Sequence, residues 1–198
     1  DGEALEADDF VLATEVVGAQ QLLRKSPELL RQPDLEDVLN LAGTGSIVVR
    51  LWLDREPPEI VSGVFSRPEL IDAFFVPSRW QDELSGRAVV EAHAYVVRDR
   101  MHLSDDRLVE GVMDELRERF PEMREATIHK SHVSRHPESF TWFRPGSHRH
   151  MPATATGCPN LWMAGDWIRT DEPWWYMERA VATGRLAASA ILERHGLE

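Results

Sequence analysis

Pro159-Asn160-Leu161-Trp162-Met163-Ala164-Gly165-Asp166-Trp167-Ile168-Arg169-Thr170-Asp171, followed by Tyr176-Met177-Glu178-Arg179-Ala180-Val181-Ala182-Thr183-Gly184-Arg185-Leu186-Ala187-Ala188, decides how this chain is read. A short apolar run ends in Gly-Asp, a loop follows, and a helix begins with aromatic residues and continues with small ones. Leu161 to Ala164 is too short a strand to stand alone, so it must join a sheet. Gly165 at its end permits close backbone approach, Asp166 can accept hydroxyl protons, and the first helical turn leaves N–H groups free. These are the parts of a ligand-holding strand–loop–helix. The helix is expected to start near Pro173 or Trp174, with Pro in its first turn, and to stop at His195-Gly196.

Outward from this segment, the 198 residues suffice for one large domain or two small ones. No apolar run reaches the ~18 residues of a membrane span. No signal peptide opens the chain and its first residue is Asp1, which reads as a fragment or a processed chain. The lone Cys158 excludes an internal disulfide framework and fits a reducing, cytoplasmic location. A net charge of -12 argues against a nucleic-acid partner, whose phosphates would be repelled. Among the 22 basic residues only Lys25 and Lys130 are lysines, a composition that resembles salt-adapted organisms and reads as a solvated surface.

Ala4 to Ala13 alternate and then run apolar, suggesting a hairpin arm that leads into a buried strand. Glu15 to Leu23 reads as a helix with Val16, Ala19, Leu22 and Leu23 on one face. Pro27 and Pro33 break the chain, and Leu35 to Leu41 suits a short helix. Ser46 to Leu53 is a strand ending at Pro57-Pro58; Ile60 to Phe65 and Ile71 to Val76 are weaker strands, and Ala88 to Val97 a strong one. Ser104 caps a helix in which Leu108, Val112, Leu116 and Phe120 repeat at helical spacing until Pro121. Ala126 to Arg135 is a strand, and Pro137 to Cys158 a Pro/Gly-rich connection. This order suits a first and last piece belonging to one domain, with the middle inserted as another.

The residues Asn160 to Trp167 and Tyr176 to Val181 resemble the C-terminal flavin motif of the superfamily that contains flavin amine oxidases and carotenoid desaturases. The form Gly165-Asp166-Trp167-Ile168-Arg169-Thr170-Asp171 with Met177-Glu178-Arg179-Ala180 is similar to the carotenoid (phytoene) desaturase-like branch; amine oxidases more often carry Gly-Glu. Asp1 to Thr14 resembles the last part of that flavin domain before its substrate domain, and Phe143-Arg144-Pro145-Gly146 the return into it. The resemblance implies an α/β fold with an α+β insertion: the C-terminal part of a Rossmann-like FAD-binding domain, residues 1–30 and 126–198, around a mixed-sheet substrate domain, residues 31–125. The family's opening Gly-x-Gly-x-x-Gly turn, which cradles the cofactor's pyrophosphate, is absent. Gly43-Thr44-Gly45 lacks the third Gly and reads as a loop. The chain thus looks like the C-terminal portion of a longer enzyme whose N-terminal FAD-binding half lies on the same gene or on a partner chain.

By this resemblance the cofactor is FAD, held by Gly165, Asp166, Trp167, Tyr176, Met177 and Ala180. Asp166 would accept from a ribityl hydroxyl, and the N–H groups around Tyr176 and Met177 would face the pyrimidine edge of the ring, where the helix dipole favours negative charge. Trp174, Trp175 and Tyr176 would face a lipophilic substrate, although plain packing explains the two Trp equally well. Glu178 reads as a dipole-compensating acid. His129, His132, His136, His148 and His150 lack the carboxylate or Cys of a metal signature, and no metal is expected. His93 shares a strand face with Glu91 and Tyr95. The reaction implied is hydride removal from an apolar substrate to flavin, with no catalytic residue assigned and with peripheral membrane contact left open. The rivals are a flavin amine oxidase and a non-catalytic binding subunit that keeps the fold.

Overall fold

A computed structural model describes residues 2, 4–55, 59–65, 69–97 and 99–197. Among them seven strands and four α-helices form two compact units. The first joins residues 1–43 to residues 138–198; the second is residues 44–137. These divisions differ from the expected breaks at 30/31 and 125/126. Leu35, Val38 and Leu41 bury into the same core as Val16, Ala19 and Leu23, and so belong to the first unit.

In the first unit, β1 (Phe10–Leu12) pairs in parallel with β7 (Leu161–Met163), Phe10 opposite Leu161 and Leu12 opposite Met163. Residues 4–9 form no strand, and Phe10 and Val11 remain exposed, so the expected hairpin arm and buried strand reduce to three edge residues. Asp1 and Glu3 lie outside the described residues. Helix α1 (Val16–Arg24) is capped by Glu15, whose carboxylate accepts the Gly18 N–H at 2.8 Å. Its inward face is Val16, Ala19, Gln20 and Leu23, while Leu22 points to solvent. Gln20 can be buried because its amide donates to the Val38 and Leu41 carbonyls, at 2.9 and 3.0 Å. The short α2 (Pro33–Asp37) follows, with Pro33 in its first turn.

The last helix, α4, spans Tyr176–Arg194 and begins later than expected, leaving Pro173 outside it. It ends where Gly196 takes φ +66°, the Gly196 and Leu197 N–H groups donating back to Glu193 and Leu192.

The second unit is a five-stranded sheet in the order β3-β4-β5-β2-β6, formed by β2 (Gly43–Leu53), β3 (Ser62–Val64), β4 (Ala73–Phe75), β5 (Ala88–Tyr95) and β6 (Ile128–Thr141). The pairings β3–β4, β4–β5 and β5–β2 are antiparallel. Helix α3 (Asp105–Arg119) is capped by Ser104 and buries Leu108, Val112, Met113 and Leu116 against Ile47, Val49, Leu51, Val90, Ala92 and Ala94. Alternation along β2 and β5 thus sends one set of side chains into the core and leaves the other half-exposed.

Gly43 and Gly45 start β2 instead of forming a loop. A Cβ on Gly45 would lie 2.5 and 2.6 Å from the His136 and Pro137 carbonyl oxygens, so glycine lets the neighbouring strand approach. Strand β6 runs on through Pro137 because it is an edge strand, where a missing N–H costs no ladder bond. The expected end of β2 at Pro57-Pro58 lies outside the described residues; the strand stops at Leu53.

Candidate functional site

Where β7 ends, Ala164 still donates to the Leu12 carbonyl at 3.0 Å, and the chain then turns at Gly165 with φ +153°. A Cβ there would stand 2.5 Å from Trp167 Nε1, so no side chain fits without moving the indole. The turn is tied to α4 by Thr183. Its buried hydroxyl accepts the Gly165 N–H at 3.0 Å and lies 2.9 to 3.1 Å from the carbonyls of Arg179, Ala180 and Gly165, so it can donate to one of them. A single side chain therefore sets the distance between the strand end and the helix.

Asp166 points inward. One carboxylate oxygen accepts the Thr141 N–H at 2.8 Å and the other accepts the Thr141 hydroxyl at 2.9 Å. The residue is 9% exposed, and Thr141 is fully buried. Each carboxylate oxygen can accept a further bond, but both already hold a protein donor. Trp167 corrects an expectation: its side chain is fully buried in the core with Val16, Leu23 and Met163, and its Nε1 donates to the Thr14 carbonyl at 2.9 Å. With no exposed surface, it positions Gly165 and Asp166 without meeting a ligand itself.

The start of α4 has no side-chain cap. Glu178 and Arg179 donate to the Trp175 carbonyl, whereas the N–H groups of Tyr176 and Met177 find no acceptor among the described residues. Tyr176 adopts φ +40°, a conformation disfavoured for a residue with a Cβ. Its ring packs edge-on to Phe140 at 5.1 Å and beside Phe143 at 5.5 Å and Trp175 at 6.0 Å. Burial, with a smaller contribution from the Asp166 charge, holds its phenol above the usual tyrosine range. Met177 is 82% exposed and Trp175 62%, while Trp174 and Ala180 are half-buried. Glu178 is exposed in the first turn.

Three residues of this site carried no assignment in the sequence reading. Arg179 lays its guanidinium over the Phe143 ring at 5.0 Å, and its buried Nε has no partner among the described residues. Burial pushes its pKa down, an effect the nearby Asp166 charge opposes. Thr141 and Thr183 are the others. Their only local signal was a Thr at a strand end and a Thr amid small helical residues, and neither type is distinctive there.

In the second unit Glu91 accepts from His93 Nε2 at 2.9 Å and pairs with Arg50, while His93 Nδ1 lies 3.3 Å from the Tyr95 hydroxyl. Phe75 packs edge-on to His93 at 4.8 Å. The hydrogen bond from His93, reinforced by Arg50, holds the Glu91 carboxyl below its usual range despite partial burial. His150 pairs with Asp37 at 3.1 Å and His132 with Ser134 at 3.1 Å. Among the described residues, no group of three or more His, Cys, Asp or Glu is placed to hold a metal ion, and no helix is long and apolar enough to cross a membrane.

A glycine turn at a strand end is thus tied by Thr183 to α4, whose first turn carries no side-chain cap. The sequence model of the family described as flavin containing amine oxidoreductase matches residues 1–192, and the chain belongs to that family. It is 32% identical to a carotenoid phi-ring synthase of Chlorobaculum tepidum over 98% of this chain and 31% of that protein. It is 27% identical to a 15-cis-phytoene desaturase of Synechococcus elongatus over 97% of this chain and 41% of that protein. An oxidoreductase from Methanosarcina mazei shares the fold with a TM-score of 0.58 at 15% identity, over 98% of this chain and 44% of that one. The chain thus spans less than half the length of these relatives. The residues present fit the flavin that the family carries: the free N–H groups of Tyr176 and Met177 and the orphaned Arg179 Nε are donors awaiting an acceptor.

Proposed function

We propose that this chain forms the C-terminal part of an FAD-dependent oxidoreductase in which one C–H bond of an apolar substrate gives its hydride to flavin and the adjacent carbon releases a proton to solvent, leaving a double bond. The observation that carries the proposal is the turn at Gly165, tied by Thr183 to a helix whose first turn is left uncapped. Tyr176 and Met177 would offer their N–H groups to the pyrimidine edge of the ring, where the helix dipole and Arg179 favour negative charge. Gly165 would let the cofactor approach the backbone, and Asp166, with Thr141 already bound, would add a ribityl hydroxyl to its two acceptor atoms. Bound flavin supplies the two-electron acceptor. The names of the relatives support a carotenoid-like, lipophilic substrate. Trp174, Trp175 and Tyr176 would meet it and keep water from the reacting carbon.

The Gly-rich phosphate turn would come from polypeptide outside these 198 residues, on the same gene or on a partner chain. The aromatic set of Phe140, Phe143, Trp175 and Tyr176 favours one second reading, a flavin amine oxidase, in which aromatic walls flank the ring. Producing the chain together with its flavin-domain partner and recording flavin absorbance tests the first point. Lipophilic polyenes should then yield desaturated products. Peroxide released from amines would select the second reading, and an assembly that takes up no flavin would leave a non-catalytic subunit.

A further inference from the structure

In the second unit Leu53 lies opposite Ala88, so the last residue of β2 stands beside the first of β5. Just beyond, the Asp54 N–H donates to the Thr127 carbonyl at 3.1 Å, which brings the start of β6 to the same end of the sheet. Three strand ends therefore meet at an open groove of about 510 Å³, whose lining includes Trp52, Asp54, Arg55, Arg87 and His129.

The charge of this groove runs against that of the chain, which is -12 overall. Arg50, Arg107, Arg117 and Arg135 of the same unit each pair with a carboxylate. Arg87, His129 and Lys130 are exposed and pair with none among the described residues. Lys130 still has a fixed place. Its Nζ stands 5.0 Å from the centre of the half-buried Trp52 ring, a contact that holds the ammonium beside the groove without neutralising it. Arg87 is set by its backbone: Gly86 takes φ +73° in the turn before β5, and the Arg87 N–H donates to the Leu84 carbonyl at 3.0 Å. Two carboxylates lie at this end of the sheet, and both are engaged. Asp54 accepts the Thr127 N–H at 2.9 Å and pairs with Arg55 at 3.4 Å, and Glu125 pairs with Arg55 at 3.7 Å. Arg87, His129 and Lys130 are left to an anion from outside.

A guanidinium, an ammonium and an imidazole around one groove suit a tetrahedral oxyanion, the guanidinium as a two-pronged donor and the ammonium as a point charge. The indole of Trp52 adds an apolar wall for whatever the oxyanion is attached to. We propose that this groove binds the phosphate group of an organic phosphate monoester. Arg87 is its bidentate donor, Lys130 and His129 support it, and Trp52 lies against the organic part. Soluble esters and phospholipid headgroups both carry this group, and the experiment separates the two sources. The inference is independent of the flavin reading, which concerns the first unit.

The test titrates the 198-residue chain with glycerol 3-phosphate by calorimetry and sediments it with vesicles of equimolar phosphatidylcholine and phosphatidic acid, all at one ionic strength. Arg87→Gln should weaken binding about tenfold, as loss of a bidentate charged contact does, and Arg87→Lys should recover part of it. Lys130→Gln should also weaken it, whereas Lys25→Gln, which removes a charge outside the groove, should leave it unchanged. Circular dichroism shows that each variant keeps its fold. Binding of glycerol 3-phosphate alone would name a soluble ester, binding of the vesicles alone a headgroup, and binding of both the phosphate group itself. Each supports the inference if Arg87→Gln weakens it more than Lys25→Gln does. Binding of neither probe, or equal losses in Arg87→Gln and Lys25→Gln, would overturn it.

Discussion

The Asp166 carboxylate takes both donors of Thr141, the N–H at 2.8 Å and the hydroxyl at 2.9 Å. The residue that the sequence marks for a cofactor hydroxyl is therefore also the clamp that ties the end of β6 to the turn after β7. Loss of Asp166 should therefore cost stability whatever its part in holding a cofactor.

Thr141→Val keeps the N–H donor and removes the hydroxyl. The variant should lose ~1.5–3 kcal/mol of stability, the worth of a hydrogen bond to a charged group. Asp166→Ala should lose more, because a buried N–H and hydroxyl are then left without an acceptor, and it should weaken flavin retention. Urea denaturation of the three proteins checks the order; a Thr141→Val variant as stable as the parent would show that the clamp carries no energy.

Gly165→Ala places a methyl 2.5 Å from Trp167 Nε1 at a φ of +153°. The indole cannot yield without giving up its bond to Thr14, so the cost should exceed ~1 kcal/mol. The indole N–H resonance of Trp167, assigned by its loss in Trp167→Phe, should shift as the ring moves, and flavin retention should fall with it. An unshifted resonance would mean that the turn adapts elsewhere.

Thr183→Val is isosteric but leaves the Gly165 N–H without its acceptor, at ~1–3 kcal/mol. Thr183→Ser restores that acceptor and should recover most of the stability. Flavin release, followed by fluorescence, should be faster in the Val variant than in the Ser variant. Equal rates would separate this bond from the cofactor site.

Glu91 gives the second unit an acid sensitivity. Its carboxyl is held low by His93 and Arg50, so its contribution to stability is present at neutral pH. That contribution fades as pH falls through the folded-state value, which lies below that of a free glutamate. Urea midpoints measured from neutral to acid pH should therefore decline less steeply in Glu91→Gln than in the parent. Parallel declines would remove Glu91 as the sensor.

Much of the local structure around the candidate site could be read along the chain. A Gly-Asp turn at a strand end and a helix after it announce themselves through spacing, and so do Ser104 as the α3 cap and Gly196 as the α4 stop. The start of α4 was displaced because Trp174 and Trp175 precede a strained Tyr176 that a Pro-in-first-turn rule does not anticipate. The reach of β6 through Pro137 was hidden because only its edge position makes that proline harmless.

What the sequence determined by itself is the set of elements whose causes lie within a few residues: caps, periodic faces, the glycine turn and the family to which they belong. Tertiary structure alone decided that Phe10 pairs with Leu161, that Thr141 reaches Asp166, that Arg179 lies over Phe143 and that Trp167 faces the core. These pairs join residues far apart in the chain or turn a side chain to one of two faces. Closure of the chain around a common core selects them, and no local spacing encodes that closure.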